Sequence, residues 1–578
     1  MRVRVLALWV LVTAFTASAQ PVLRMSGEPM ARASKTVAPL RLQLQTVADG
    51  HVTTYRMSAP GAAALRRIGA SGGSDEKRTT IGIHRDPLSE SDPPLPDARP
   101  LQWLAATDGG RVAQLLVESP GASALRSALV ARDLPEGTEI RFASSFAGAL
   151  SNGPIAGNAI LEASRRHGQY WSPVTEGDAQ RIEILIPDGA DVDRVRVTLA
   201  SASHLVASPA ARFKNGTSGV AEPCNEDVIC VAEANPAIAN AASSVAKMVF
   251  TEDGVTYLCT ATLIRGLQRT AQVPYLYSAA HCVDTQSAAA TLNTFWFFDA
   301  ATCGEQFARA YRQLSGGATL LYANASTDAA LLRLKESPPE GAWFAGWDLA
   351  PLPEGTAIVA LHHPAGDLKK ISIGQALGVT QATGGASYTT AGWISGSTEG
   401  GSSGSGLFTL SDGEYVLRGA LKGGSASCSN SGSLANPANR DFYSRLDLEG
   451  ANLAAWLSGG AAPMGDYTDL WWNPDEPGWG LAVLQHANNH VVAVWLTYDR
   501  DNRAAWLILP GRWRATNVLE GTIFRTAGSP FDQPFDAALS DATPVGHGRI
   551  EFKADGTGTA TFVVDGQTVV KPIKRQAF

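Results

Sequence analysis

The chain has 578 residues, 45% of them hydrophobic and 17% charged, enough for three or four domains with separate cores. Its net charge of −7 argues against nucleic acid as the main partner. No run of like charges forms a binding arm.

The chain opens "MRVRVLALWVLVTAFTASAQ". Two arginines precede an apolar run from Val5 to Phe15, and Ala17-Ser18-Ala19 closes it. This is the pattern of a secretory signal peptide, residues 1–19, cut after Ala19. The run is too short to span a bilayer, and no other segment is long and apolar enough, so the expected product is secreted with no membrane span.

Residues 20–214 contain no cysteine. They begin with loose Pro- and Ser-rich sequence, "SGGSDEKRTT" and "DPLSESDPPLPDARP", and take on ordered character from Leu101. "RIEILIPDG" and "DVDRVRVTLAS" alternate apolar and polar residues, as half-buried strands do.

Residues 215–458 hold all six cysteines: Cys224, Cys230, Cys259, Cys282, Cys303 and Cys428. An even number confined to one segment of an exported chain predicts three disulfides, for which fifteen pairings exist. No Cys-x-x-Cys occurs and only His281, His362 and His363 fall in the window, so no metal site or other cofactor is expected. Residues 459–466 read as a linker.

Residues 467–578 are Trp-rich and predicted all-β. "VVAVWLTYDRDNRAAWLILPG" is two strands around a polar turn, and "FKADGTGTATFVVDGQTVV" carries two Asp-Gly turn signals. Trp471, Trp472 and Trp479 are either core or a platform for a carbohydrate or cell-wall ligand; core is the preferred reading.

"TEGGSSGSGLF" has the composition of a tether, yet apolar strands follow it at once. A serine hydroxyl attacks only when a base removes its proton. His281, in "YLYSAAHCVD", follows a strand-like Tyr275-Leu276-Tyr277 and sits beside Cys282, whose disulfide would fix the turn. Asp328, in "STDAALLRLK", starts a strand with Ala330, Leu332 and Leu334 on one face and Ala329, Leu331 and Arg333 on the other. His281, Asp328 and Ser403 occur in the order of the chymotrypsin-type triad, and their contexts match it: Ala-His-Cys, Asp-x-x-Leu-Leu and Gly-x-Ser-Gly. The amides of Gly401 and Ser403 would form the oxyanion hole, which requires a tight glycine turn. The expected fold is mainly β: a chymotrypsin-like double β-barrel, with a β-rich N-terminal region and a small all-β C-terminal module.

Residues 220–450 further resemble the lysyl endopeptidase family of secreted bacterial serine proteases, through "CNEDVIC", "CTATLI", "AGWD", "AIVALHHP", "KKISIG" and "GGSASCS". The resemblance implies an extracellular endopeptidase acting on protein and peptide substrates, and places His362 and His363 in a strand motif outside the triad. It also implies the pairs Cys224–Cys428, Cys230–Cys303 and Cys259–Cys282; local logic independently suggests only the last.

Ser397, at the trypsin-type specificity position, carries no charge. The family's Asp-x-Tyr-x-Arg is present as Asp441, Tyr443 and Arg445, which makes Asp441 the candidate floor of a pocket for a basic side chain. The alternative for Asp441 is a surface acid paired with Arg440 or Arg445. Lys422 stands where the family has a histidine before the pocket-wall glycines, Gly423 and Gly424; it could neutralise Asp441 or repel a basic substrate. Two other readings follow: a glutamyl-type endopeptidase, since that type shares the Gly-x-Ser-Gly-Ser core, and a non-catalytic adhesin or binding protein on a protease scaffold.

Residues 20–214 resemble the pro-regions ahead of such proteases and would be an intramolecular partner. Ser402 occupies the place of the aspartate that pairs with a new N-terminal amine in trypsin-type zymogens, so that switch is not expected. "ARFKNGTSGVAEPC" offers cleavage after Lys214, with Arg212 nearby, by another protease or by the enzyme itself.

Overall fold

The computed structural model describes residues 24–31, 42–43, 52–58, 60–61, 68, 77–87, 101–107, 109–145, 151–208, 221–266, 272–382, 385–457, 467–485, 491–515, 517–553 and 555–576. Ala19 and the expected signal segment, Arg212, Lys214 and the 459–466 linker lie outside the described residues. The fold is mainly β, as expected. No helix among the described residues is long and apolar enough to cross a membrane.

In the N-terminal region a six-stranded sheet runs Val52–Arg56, Arg111–Glu118, Ala179–Ile186, Glu139–Ser144, Asn152–Ala156, with Leu104–Ala105 at its side. The alternation read in "RIEILI" sets the core face, but the strand is not half-buried, since Glu183 on the other face is buried too. Ile182 and Ile184 pair across to Leu115 and Ala113 on one side and to Phe142 and Ile140 on the other. Ile182, Ile184, Leu115, Phe142 and Ile140 all enter one core. The helix Gly157–His167 was not anticipated; it puts Ile160 and Ala163 inside and ends at Gly168, whose φ is 79°.

A second sheet, of twelve strands, crosses from this region into the cysteine-bearing one. Its bridge is Thr79–Arg85, which lies between Arg196–Leu205 and Val255–Ile264. This corrects the expectation that order begins only at Leu101. Thr79, Thr80, Ile81 and Ile83 favour a strand, but only Ile81 and Gly82 are buried, so no alternating burial marks it; pairing on both edges holds the conformation. Arg126 reinforces the junction. Its fully buried guanidinium donates to Thr251 Oγ1 at 3.2 Å and to the Thr291 carbonyl, and burial lowers its pKa to about 9.

On the N-terminal side the sheet also holds Ala124–Asp133, Tyr170–Trp171 and Thr175–Glu176; on the cysteine-bearing side it runs Arg312–Leu314, Asn293–Trp296, Val245–Glu252, Val255–Ile264, Tyr275–Ser278, Ala329–Leu334, Ala318–Asn324. A further set closes on itself: Glu414–Gly424, Gly406–Ser411, Ala357–His362, Lys370–Gln381, Ser387–Ser395, Asp441–Tyr443 and back to Glu414–Gly424. Two antiparallel strand systems with a core between them, containing Tyr277, Leu331, Leu361 and Phe408, form the double-barrel arrangement. The disulfides are Cys224–Cys428, Cys230–Cys303 and Cys259–Cys282, with Cα separations of 5.4, 4.7 and 6.4 Å.

At the C-terminal end, eight antiparallel strands from Asp469–Trp472 to Gln567–Arg575 close into a barrel. Asp565 and Gly566, with φ of 48° and 77°, make the two-residue turn that the sequence signalled.

Candidate active site

Two neighbouring strands bring His281 and Asp328 together. Tyr275–Ser278 pairs antiparallel with Ala329–Leu334, Ser278 opposite Ala330. The residues just after the first strand therefore meet those just before the second. Asp328 sits immediately before its strand, with a backbone φ of 57°. Its Oδ1 accepts from the His281 backbone N at 2.9 Å, and its Oδ2 lies 2.8 Å from His281 Nδ1. The carboxylate thus fixes both the turn and the ring. On the far side of the ring, Nε2 lies 2.8 Å from Ser403 Oγ. Cys282 ties this turn to Cys259 in the adjacent strand.

The glycine-serine stretch is an ordered turn. Gly401 has φ of 92°, and a Cβ there would lie 2.8 Å from the His363 carbonyl, so only glycine fits. Thr260 anchors the turn: its N–H donates to the Ser403 carbonyl at 2.8 Å and its hydroxyl to the Gly401 carbonyl at 2.9 Å. Ser402 points the other way. Its hydroxyl lies 2.8 Å from His362 Nδ1 and accepts from the Glu399 N–H. His362 reaches Ser372 Oγ with its other nitrogen, at 3.0 Å.

His362 thus buttresses the turn from beneath, while the buried His363 ring meets the Asp367 carbonyl at 2.9 Å. Burial, helped by nearby lysines, lowers His362 to about 3, and burial places His363 well below its usual range. Both are neutral when folded and gain protons near pH 6.5 when unfolded. Their contribution is fully present above that pH and is lost as pH falls toward the folded values. Each histidine should add a slope of up to about 1.4 kcal/mol per pH unit below pH 6.5. Urea unfolding at pH 6, 5 and 4 should show a shallower pH slope in His362→Asn than in the wild type; equal slopes would place the acid sensitivity elsewhere.

A side chain already fills the pocket beside Ser403. Lys77, from the N-terminal region, directs its ammonium to Asp441 Oδ1 at 2.8 Å, Thr398 Oγ1 at 2.6 Å, the Thr398 carbonyl at 2.8 Å and the Ala426 carbonyl at 2.8 Å. Asp441 is fully buried, and its Oδ2 accepts from Trp393 Nε1 and Thr398 Oγ1, each at 2.7 Å. The Lys77 carbonyl accepts from the N–H groups of Gly401 at 2.6 Å and Ser403 at 3.3 Å.

The pocket wall depends on Gly424. A Cβ there would lie 2.6 Å from Asp441 Oδ1 and block the carboxylate. The next residue, Arg78, donates to the His281 carbonyl at 2.8 Å and to Glu252 Oε2 at 3.1 Å, and lies over the Tyr257 ring at 3.9 Å.

The alternatives for Asp441 do not occur. Arg440 donates to the carbonyls of Leu434, Asn436 and Asn439, and Arg445 pairs with Asp447. Lys422 does not neutralise Asp441; its ammonium lies 5.6 Å above the Tyr388 ring, and among the described residues the ion-pair partner of Asp441 is Lys77.

The sequence model for the lysyl endopeptidase C-terminal domain matches residues 218–444, and that for the lysyl endopeptidase N-terminal domain matches residues 68–206. A lysyl endopeptidase of Pseudomonas aeruginosa is 36% identical over 371 residues, covering 61% of this chain and 77% of the relative. The chain belongs to the lysyl endopeptidase family. It is a serine endopeptidase. Solved structures similar to it include the active form of the Rv3671c protease from M. tuberculosis, at 18% identity over 43% of this chain and 93% of that one, with a TM-score of 0.28. The HtrA-type protease AlgW with a tripeptide is 16% identical over 59% of this chain and 97% of that one, with a TM-score of 0.27.

In this lysyl endopeptidase-family protein, sequence reasoning missed Trp393 and Thr398, which share the Asp441 carboxylate, and Lys77, which occupies the pocket. Trp393 and Thr398 lie within ten residues of Ser403, so proximity to the motif was the available signal. In the C-terminal barrel Trp471 is core, while Trp472 and Trp479 are half-buried; Trp479 donates to Glu476 and lies under the Lys571 ammonium.

Proposed function

We propose that the protein is a secreted endopeptidase that cleaves after lysine. Ser403 attacks the peptide carbonyl, and His281 takes its proton and passes it to the leaving amine. Asp328 holds the ring in the required tautomer and stabilises the imidazolium. The Gly401 and Ser403 amides stabilise the oxyanion. Asp441 receives the substrate ammonium.

The observation that carries the reading is Lys77. Its carbonyl faces both amides while its ammonium meets Asp441, which is how a lysyl substrate must lie for attack by Ser403. The pocket also favours lysine over arginine. Four acceptors surround one compact ammonium at 2.6 to 2.8 Å, whereas a guanidinium is planar, longer and needs a fork of acceptors. A buried Asp441 would repel a glutamate, which disfavours the glutamyl reading.

The three disulfides support an extracellular site of action. Residues 1–19 would serve as signal, 20–214 as pro-region, 215–458 as protease and 467–578 as an accessory module. If that module takes a sugar or cell-wall ligand, Trp471 is not part of its surface.

Anilides that differ only in the residue before the scissile bond test the specificity. Lysyl substrates should exceed glutamyl and alanyl ones by about a thousandfold in kcat/KM, with arginyl ones between. A glutamyl preference would overturn the assignment of Asp441.

A further inference from the structure

We infer that the Lys77–Arg78 peptide is this enzyme's own first substrate, cut within the same molecule, and that both cut ends stay docked afterwards. The inference rests on the proposed serine-protease chemistry and lysine pocket, and names a substrate for them.

The geometry around the bond is that of a bound substrate on both sides. Before it, Lys77 fills the pocket and places its carbonyl on the Gly401 and Ser403 amides. After it, Arg78 is held by the His281 carbonyl, Glu252 and the Tyr257 ring. The chain then enters Thr79–Arg85, where Thr79 pairs with Leu258 and Thr80 with Tyr257. Arg78 therefore cannot drift away from the His281 turn.

In the reaction, Ser403 Oγ bonds to the Lys77 carbonyl carbon and its proton moves to His281. The bond from that carbon to the Arg78 nitrogen breaks, and the nitrogen takes the proton from His281 as it leaves. Water then attacks the Lys77 ester through the same base, which leaves a Lys77 carboxylate, an Arg78 amine and free Ser403.

Tethering makes the step unimolecular and raises the effective concentration of the bond at Ser403 far above that of any free peptide. Cleavage would not release the pieces. Thr79–Arg85 stays clamped between Arg196–Leu205 and Val255–Ile264. On the other side, Val52–Arg56 pairs with Arg111–Glu118 and Arg24–Met25 with Trp347–Asp348. The held Arg78 amine can also re-attack the ester, so the nicked pro-region acts as a slow substrate that keeps other lysyl chains out of the pocket.

The sequence had pointed to Lys214 as the processing site. The lysine that the fold delivers to Ser403 is Lys77, so a cut at Lys77 would precede any cut further along.

The test uses the full chain made by cell-free synthesis under oxidising conditions, followed over time at several dilutions. Wild type should yield a fragment beginning Arg-Thr-Thr-Ile-Gly, visible after denaturation but co-eluting with the rest of the chain on native gel filtration. Its first-order rate should stay constant over about a hundredfold dilution, as an intramolecular step requires. Ser403→Ala and Lys77→Gln should lack that fragment.

A rate that rises with concentration would overturn cleavage in the same molecule. Absence of an Arg78 terminus in protein that cleaves lysyl anilides would overturn the inference and leave the proposed function standing; failure on both would overturn both. A binding measurement guards against misfolded variants. A fluorescein-labelled peptide ending in lysine should bind Ser403→Ala at least about tenfold more weakly than Ser403→Ala/Lys77→Gln, since an intramolecular occupant competes with it. Equal binding would mean that Lys77 does not fill the pocket in solution.

Discussion

Ser403→Ala should lower turnover of a lysyl anilide by roughly a millionfold, while Ser402→Ala and Ser405→Ala keep substantial activity. The three hydroxyls lie within four residues, yet the one that meets His281 Nε2 is that of Ser403. Ser402 bonds instead to His362, so its loss should cost stability more than rate. His281→Ala should match Ser403→Ala, because the two act as a unit, and Asp328→Asn should cost about ten-thousandfold by presenting the wrong ring tautomer. Labelling with a serine-directed fluorophosphonate followed by peptide mapping checks the assignment. Label on Ser402 or Ser405, or undiminished activity in Ser403→Ala, would refute it, whereas a wild type that neither labels nor cleaves would revive the reading of a non-catalytic protease scaffold.

Asp441→Asn should produce the largest effect outside the triad. The carboxylate is fully buried, with Lys77 on one oxygen and Trp393 and Thr398 on the other. Asparagine keeps the volume and removes the charge, which leaves the substrate ammonium facing neutral acceptors. Breaking a buried pair on one side costs about 3–5 kcal/mol, so kcat/KM on lysyl substrates should fall by roughly 10² to 10³ or more. Alanyl substrates, which never reach Asp441, should change little. Equal losses on lysyl and alanyl substrates would place Asp441 in the scaffold.

The parts of this site that were legible in the sequence are those whose chemistry is local. His281 beside a cysteine, Asp328 ahead of an apolar strand and Ser403 in a glycine turn each carry their own context, and chain order joins them. The C-terminal strands were legible because Asp-Gly turns punctuate alternating runs.

Thr79–Arg85 was not legible, because its strand state comes from two partner strands far away in sequence. Lys77 was hidden for the same reason. In "SDEKRTT" it looks like any solvated lysine, and its role follows from where the sheet carries it. The helix Gly157–His167 was missed between strand patterns; its mean hydropathy is low and only one narrow face is buried. Trp393 reads as a core residue until the fold places its indole N–H on Asp441.

The most direct test of the central claim is a cleavage profile of the mature enzyme on a denatured protein mixture, read by the new N-termini. Lysine should precede nearly all cuts, with arginine a minor second, and the profile should vanish with Ser403→Ala. Cuts that follow glutamate, or that show no preference for the preceding residue, would contradict the account.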